Sequence, residues 1–148
     1  MIQSIHNKKP AILITGVSGL VGSTVCRQLE RDYRLIGLDV ERPRKARGNV
    51  EFHQVDLTDA DSVESALETI RKQTGGHLAS VLHLAAYYDF TGKDSPLYQK
   101  ITIAGTKRLL RELQKFELVE QFVFSSTLLV MKPAERPIAE DDPTRAEW

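Results

Sequence analysis

A run of four apolar residues, Ala11-Ile12-Leu13-Ile14, leads into glycines at 16, 19 and 22, and Leu20, Val21, Val25 and Leu29 then recur near helical spacing. That pattern predicts a buried strand over Ala11–Thr15, a tight turn, and a helix over Leu20–Arg31 that buries one face. The alternation repeats along the chain. Strands are expected at Arg34–Asp39 and Val50–Gln54, with a basic connection from Pro43 to Gly48 between them. Ser62–Lys72 carries Val63, Leu67 and Ile70 on one helical face; Thr58, Asp59 or Asp61 can cap it, and Gly75-Gly76 stop it. Ser80–Leu84 is the expected fourth strand, Ser95–Phe116 contains a long helix, and Gln121–Ser125 is the expected fifth strand.

Regular strand–helix alternation with apolar strands implies a parallel sheet covered by helices on both faces. The right-handed crossover rule then favours an α/β, Rossmann-like doubly wound sheet of order 3-2-1-4-5, with its ligand at the carboxyl ends of strands 1 and 4. Residues 1–10 read as a flexible N-terminal segment and 11–148 as one domain.

Composition sharpens the class. With 148 residues, 41% of them apolar, the chain can bury a sizeable core as a single domain. Twenty basic and twenty acidic side chains cancel, so neither nucleic acid nor an anionic membrane is an expected partner. Cys26 is the one cysteine, which excludes an internal disulfide and suits a reducing compartment. No segment has the apolar length of a signal peptide core or a membrane span, so the expected location is cytoplasmic.

Three glycines between a strand and a helix suit a dinucleotide pyrophosphate. The first permits a tight turn, the second lets backbone N–H groups approach the phosphates, and the third lets the helix lie close to the sheet. The anion would rest on the N–H groups at the helix start. Plain loop geometry is the simpler use of the same glycines. Asp39 ends the second strand, where a carboxylate can accept both ribose hydroxyls and repel a 2′-phosphate; NAD is therefore expected over NADP. Arg42 and Arg44 follow closely and leave some room for a phosphate contact. Asp56-Leu57 could meet adenine, or Asp56, Thr58 and Asp59 could simply cap the next helix. His83-Leu84-Ala85-Ala86 closes the fourth strand with small residues against which a cofactor could pass, and His83 alone reads as a core histidine. Tyr87, Tyr88 and Phe90 could border a substrate or cover the sheet edge. Ser125, Ser126 and Thr127 could bond a carbonyl or alcohol, or form an ordinary strand-end turn. No histidine or cysteine spacing suits a metal. Neither Gly-x-Ser-x-Gly nor a P-loop lysine is present.

Taken as a set, Thr15-Gly16-x-x-Gly19-x-x-Gly22, Asp39, Asp56-Leu57, His83-Leu84-Ala85-Ala86, Ile103-x-Gly105-Thr106 and Phe124-Ser125-Ser126-Thr127 resemble the extended short-chain dehydrogenase/reductase family, the group of NAD-dependent sugar epimerases and dehydratases. The resemblance implies an NAD site built from Gly16, Ser18, Gly19, Leu20, Val21, Gly22, Asp39, Asp56, Leu57, Leu84, Ala85, Ala86, Thr102, Ser125 and Ser126, with Thr127 at the catalytic Ser/Thr position. Two positions depart from the family pattern: Thr102 replaces the usual Asn, and Met131-Lys132 stand where Tyr-Gly is common. The family's acid/base motif, Tyr-x-x-x-Lys, is absent from the 148 residues. At the family's usual spacing from Thr127 it would begin just past Trp148. The chain is thus expected to be truncated before the catalytic tyrosine, the last strands and the substrate region, and to be inactive by itself. The implied parent is a homodimer that transfers hydride between NAD and a sugar-nucleotide or similar small hydroxyl substrate. A non-catalytic dinucleotide-binding or redox-sensing module, and a steroid or acyl-thioester reductase of the same family, are the alternatives.

Overall fold

A computed structural model describes residues 9–42, 49–89, 91 and 94–144. The expected basic connection over 43–48, with Arg44, as well as Phe90, Trp148 and most of the N-terminal segment, lies outside the described residues.

β1 (Ala11–Thr15) is the centre of the fold, and Leu13 and Ile14 within it are fully buried. β2 (Arg34–Asp39) and β3 (Val50–Gln54) pair in parallel on one side of it, and β5 (Ser80–His83) and β7 (Phe122–Phe124) on the other. The resulting order, β3-β2-β1-β5-β7, is the doubly wound arrangement expected, with β5 and β7 as the fourth and fifth strands of the sequence reading. Two short strands were not anticipated: β4 (His77–Leu78) and β6 (Leu118–Val119) form a separate parallel pair. Their register continues that of the main sheet, His77 facing Leu118 as His83 faces Phe124. A single ladder therefore runs through both pairs and is interrupted around Ala79 and Glu120.

α1 (Leu20–Leu29) covers one face of the sheet; α2 (Ala60–Thr74) and α3 (Ala104–Leu113) cover the other. Alternation along the strands divides the core. Leu13, Ile36 and Leu38 point to α2 and α3, where Val63, Leu67, Ile70 and Leu109 meet them, while Ile12, Ile14 and Leu35 pack with Val17 and Cys26. Lys115 bridges Glu112 of α3 (2.7 Å) and Glu64 of α2 (3.0 Å) on the outside of that packing.

Two helices differ from expectation. In α1, Val25 and Leu29 pack on the core as expected and Gly22 and Cys26 are buried beside them, whereas Leu20 and Val21 are 86% and 60% exposed. Gly22 sets this face, because without a Cβ it can press against the Gly16 carbonyl and turn its neighbours outward. The expected long helix before β6 opens with a π-helical turn over Tyr98–Ile103, in which the Ala104 N–H reaches back to the Gln99 carbonyl. Among the described residues no helix is long and apolar enough to cross a membrane.

α2 obeys its end signals closely. Asp59, one of the three expected caps, accepts a hydrogen bond from the Asp61 N–H (3.0 Å), and Gly75 closes the helix at φ +63°. Replacing Asp59 with Ala should lower stability by about 1 kcal/mol, since the Asp61 N–H in the first turn loses its acceptor. Urea denaturation followed by circular dichroism reads this directly, and Asp59→Asn should recover most of the loss.

Candidate cofactor site

The glycines work by removing atoms where backbones crowd. Gly16 has φ +73°, and a Cβ there would lie 2.9 Å from the Ala85 nitrogen and 3.1 Å from the Leu84 carbonyl carbon. Its N–H bonds the Leu38 carbonyl (2.9 Å), joining β1 to β2 at the turn. A Cβ on Gly22 would run into the Gly16 carbonyl and the Val17 Cα. The third glycine thus seats the helix against the loop itself, rather than against the sheet as expected. Gly19 is exposed and starts α1 without any side-chain cap, and no acidic residue lies in the first turn. The first N–H groups of α1 thus have no side-chain cap, the arrangement in which a helix start can accept an anion.

A groove of about 390 Å³ opens at this point along the carboxyl ends of the strands. Gly16, Ser18 and Gly19 form one wall, Asp39, Val40 and Glu41 a second, Val55, Asp56 and Leu57 a third, and Leu84, Ala85 and Ala86 the floor. The Asp39 carboxylate is aimed by two backbone donors, Ser18 N–H on Oδ2 (2.9 Å) and Val40 N–H on Oδ1 (2.8 Å). Asp56 lines the groove and ties the loop before α2 without capping that helix, a task that falls to Asp59: its Oδ1 accepts from both the N–H and the hydroxyl of Thr58, each at 2.8 Å. Leu57 is clamped by Gly105, whose absent Cβ would lie 2.9 Å from the Leu57 Cβ. The Gly105-Thr106 pair is explained by that approach and by what Thr106 touches.

His83 is 1% exposed and bonds on both ring nitrogens: Nδ1 to the Thr15 hydroxyl at 2.7 Å, Nε2 to the Thr106 hydroxyl at 2.8 Å. The direction of these bonds follows by elimination. Thr15 Oγ1 already accepts the N–H groups of Leu84 (3.2 Å) and Ala85 (3.1 Å), so its proton goes to Nδ1. Nε2 then carries the imidazole hydrogen and donates to Thr106, which donates onward to the Thr102 carbonyl. The ring is neutral, and burial pushes its pKa down to about 4. This is the core histidine expected from sequence, with a structural task added. Thr15 had been given no separate role, although a threonine closing an otherwise apolar buried strand was a signal that could have been read.

The remaining residues of the expected site stand outside the groove wall. Leu20 and Val21 sit on the outer first turn of α1, where only their N–H groups can face an anion, and Gly22 is buried beneath the loop. The Thr102 hydroxyl accepts from the Tyr87 N–H (3.0 Å). Ser125 extends β7 by donating its N–H to the His83 carbonyl (3.2 Å), and Ser126 follows, exposed. Thr127 caps a short turn over Leu128–Val130 through the Leu129 N–H (3.2 Å). Arg42 turns away from the groove and lies over the Phe52 ring, 5.4 Å from its centroid. Tyr87 packs edge-on against Tyr98 at 4.9 Å. Ile101 and Glu41 line the groove without having been singled out in the sequence.

Two outcomes follow from this geometry. Below about pH 6.5 the unfolded chain protonates His83 while the folded chain resists until about pH 4. Stability should be full above pH 6.5 and fall as pH drops through that window, by up to about 3 kcal/mol. Chemical denaturation at several pH values, with His83→Gln as the reference that lacks this titration, isolates the effect. Gly16→Val should destabilise the fold by about 2 kcal/mol or more, because it forces a branched residue into positive φ and a Cβ onto the Leu84–Ala85 backbone. The loss should appear in thermal melts with no ligand added.

The profile of the NAD dependent epimerase/dehydratase family matches residues 12–147. UDP-glucose 4-epimerase of Dictyostelium discoideum is 32% identical over 91% of this chain, which spans 41% of that relative; the Bacillus subtilis enzyme is 28% identical over 92%, spanning 42%. The chain thus covers about two fifths of the length of these curated relatives. Among solved structures, the Thermus thermophilus UDP-glucose 4-epimerase complex with NAD superposes with a TM-score of 0.75 at 28% identity, covering 92% of this chain and 44% of that one. A short-chain dehydrogenase/reductase superfamily protein of Agrobacterium tumefaciens with bound NAD gives 0.74 at 27% identity, covering 93% and 40%. Glycine loop, groove and sheet order agree with that kinship, and the chain belongs to the NAD-dependent epimerase/dehydratase family.

Proposed function

We propose that this chain supplies the NAD-binding half of an epimerase, dehydratase or related oxidoreductase acting on a sugar-nucleotide or similar small hydroxyl substrate. One observation carries the reading: the uncapped start of α1 and the Asp39 carboxylate open into the same groove. The first-turn N–H groups of α1 would hold the pyrophosphate, and Asp39 would accept the adenosine ribose hydroxyls. Asp56 and Leu57 would border the adenine, and the small floor at Ala85 and Ala86 leads toward the nicotinamide end. When held by these residues, NAD would supply the hydride acceptor and donor for the reaction. Thr127 keeps a hydroxyl proton to donate to the reacting oxygen, since its Oγ1 is used only as an acceptor in its turn.

The relatives named as UDP-glucose 4-epimerases support a sugar nucleotide over a steroid or acyl thioester. For the parent we infer a homodimer that meets through α3, whose outer side exposes Leu110 next to the π turn's Ile103. With no Tyr-x-x-x-Lys among its 148 residues, the chain should bind NAD without turning substrate over.

Titration with NADH, read by fluorescence, tests the binding half. Saturable binding is expected, weakened about tenfold by Asp39→Ala, the cost of losing charge-assisted hydrogen bonds to the ribose. An unchanged dissociation constant in that variant would sink the ribose assignment. Conversion of UDP-glucose to UDP-galactose should be undetectable with this chain and present in a protein that adds a Tyr-x-x-x-Lys segment.

A further inference from the structure

After Asp39 the chain continues along the groove wall as Val40 and Glu41, and both are pinned. Gln54 Nε2 donates to the Val40 carbonyl (3.1 Å), and the Ser18 hydroxyl donates to the Glu41 carbonyl. Arg42 comes next, the first cation in the chain after Asp39, and among the described residues it is the one placed by sequence to neutralise a phosphate beside the ribose edge. Its guanidinium goes elsewhere, over the Phe52 ring at 5.4 Å. Phe52 is firmly placed to receive it. It stands opposite Gly37 in the parallel register of β2 and β3 and packs on the core formed by Ile12, Ile14 and Leu35.

The Asp39 carboxylate lies at the groove and opposes a 2′-phosphate unless a cation comes to its side. We propose that Phe52 is a specificity-determining positioning residue: by holding Arg42 over its ring, it denies that cation to a 2′-phosphate and keeps the site selective for NAD. The proposal rests on the reading of the groove as an NAD site. It assigns cofactor choice to a residue on the neighbouring strand, outside the groove wall.

The test is a set of NADH and NADPH dissociation constants, measured by fluorescence for the 148-residue chain and for F52L, F52Y, R42A and F52L/R42A. The unaltered chain should prefer NADH. F52L should shift the ratio toward NADPH by about threefold, the scale of an exposed cation–π contact, and F52Y should keep the original ratio. R42A should leave the ratio unchanged by itself and erase the shift when added to F52L. NADH binding with no shift in a folded F52L overturns the proposal. So does a loss of NADPH affinity in R42A alone, which would mean that the guanidinium already reaches the phosphate. The R42A comparison can still overturn the proposal if F52L fails to fold. Absence of NADH binding by the unaltered chain overturns the cofactor reading and this inference with it.

Discussion

A buried, neutral histidine ties β1, β5 and α3 together beside the groove. His83 sits between a threonine at the end of β1 and a threonine on α3, and each hydroxyl has one proton to give. Because Thr15 spends its lone pairs on the N–H groups of Leu84 and Ala85, every donor in the chain of bonds has one direction available. Buried polar groups are tolerated only when satisfied in this way. The same bonds pull the Leu84–Ala85 backbone onto the β1 terminus, and that close approach is what requires glycine at position 16.

The groove is therefore a product of backbones brought into contact. Gly16 meets Ala85, Gly22 meets the Gly16 carbonyl, and Gly105 meets Leu57. Each glycine removes one side chain so that a wall can move inward. Charged and polar groups then occupy a frame already fixed by packing, as the two backbone donors on Asp39 illustrate. The far edge of the sheet is different in kind: β7 leaves Phe122, Val123 and Phe124 37%, 39% and 49% exposed, and the Ser125–Thr127 hydroxyls lie beyond it in a turn.

Much of this was legible in advance. Strand order, the Asp59 cap, the Gly75 stop and the convergence of the glycine loop with Asp39, Asp56 and Ala85 follow from periodicity, turn chemistry and the crossover rule. The misreadings have a common cause. Apolar spacing placed Leu20 and Val21 on the buried face of α1, yet burial there is decided by how near Gly22 comes to Gly16. The π turn at Tyr98–Ile103 leaves no mark in hydrophobic period, and Thr102 and Thr106 matter there through bonds to Tyr87 and His83. Strands of two residues, such as β4 and β6, are too short to show alternation at all.

By itself, the amino-acid sequence determined the local elements, their order and the residue types available to a dinucleotide, because each of these depends on neighbours within a few positions. Only the tertiary structure decided which of those residues meet. Thr15 and His83 are 68 positions apart, Ser18 and Asp39 are 21 apart, and Arg42 finds Phe52 on a different strand. Such pairings arise from register and burial between distant segments, and no local pattern encodes the distance at which two backbones come to rest.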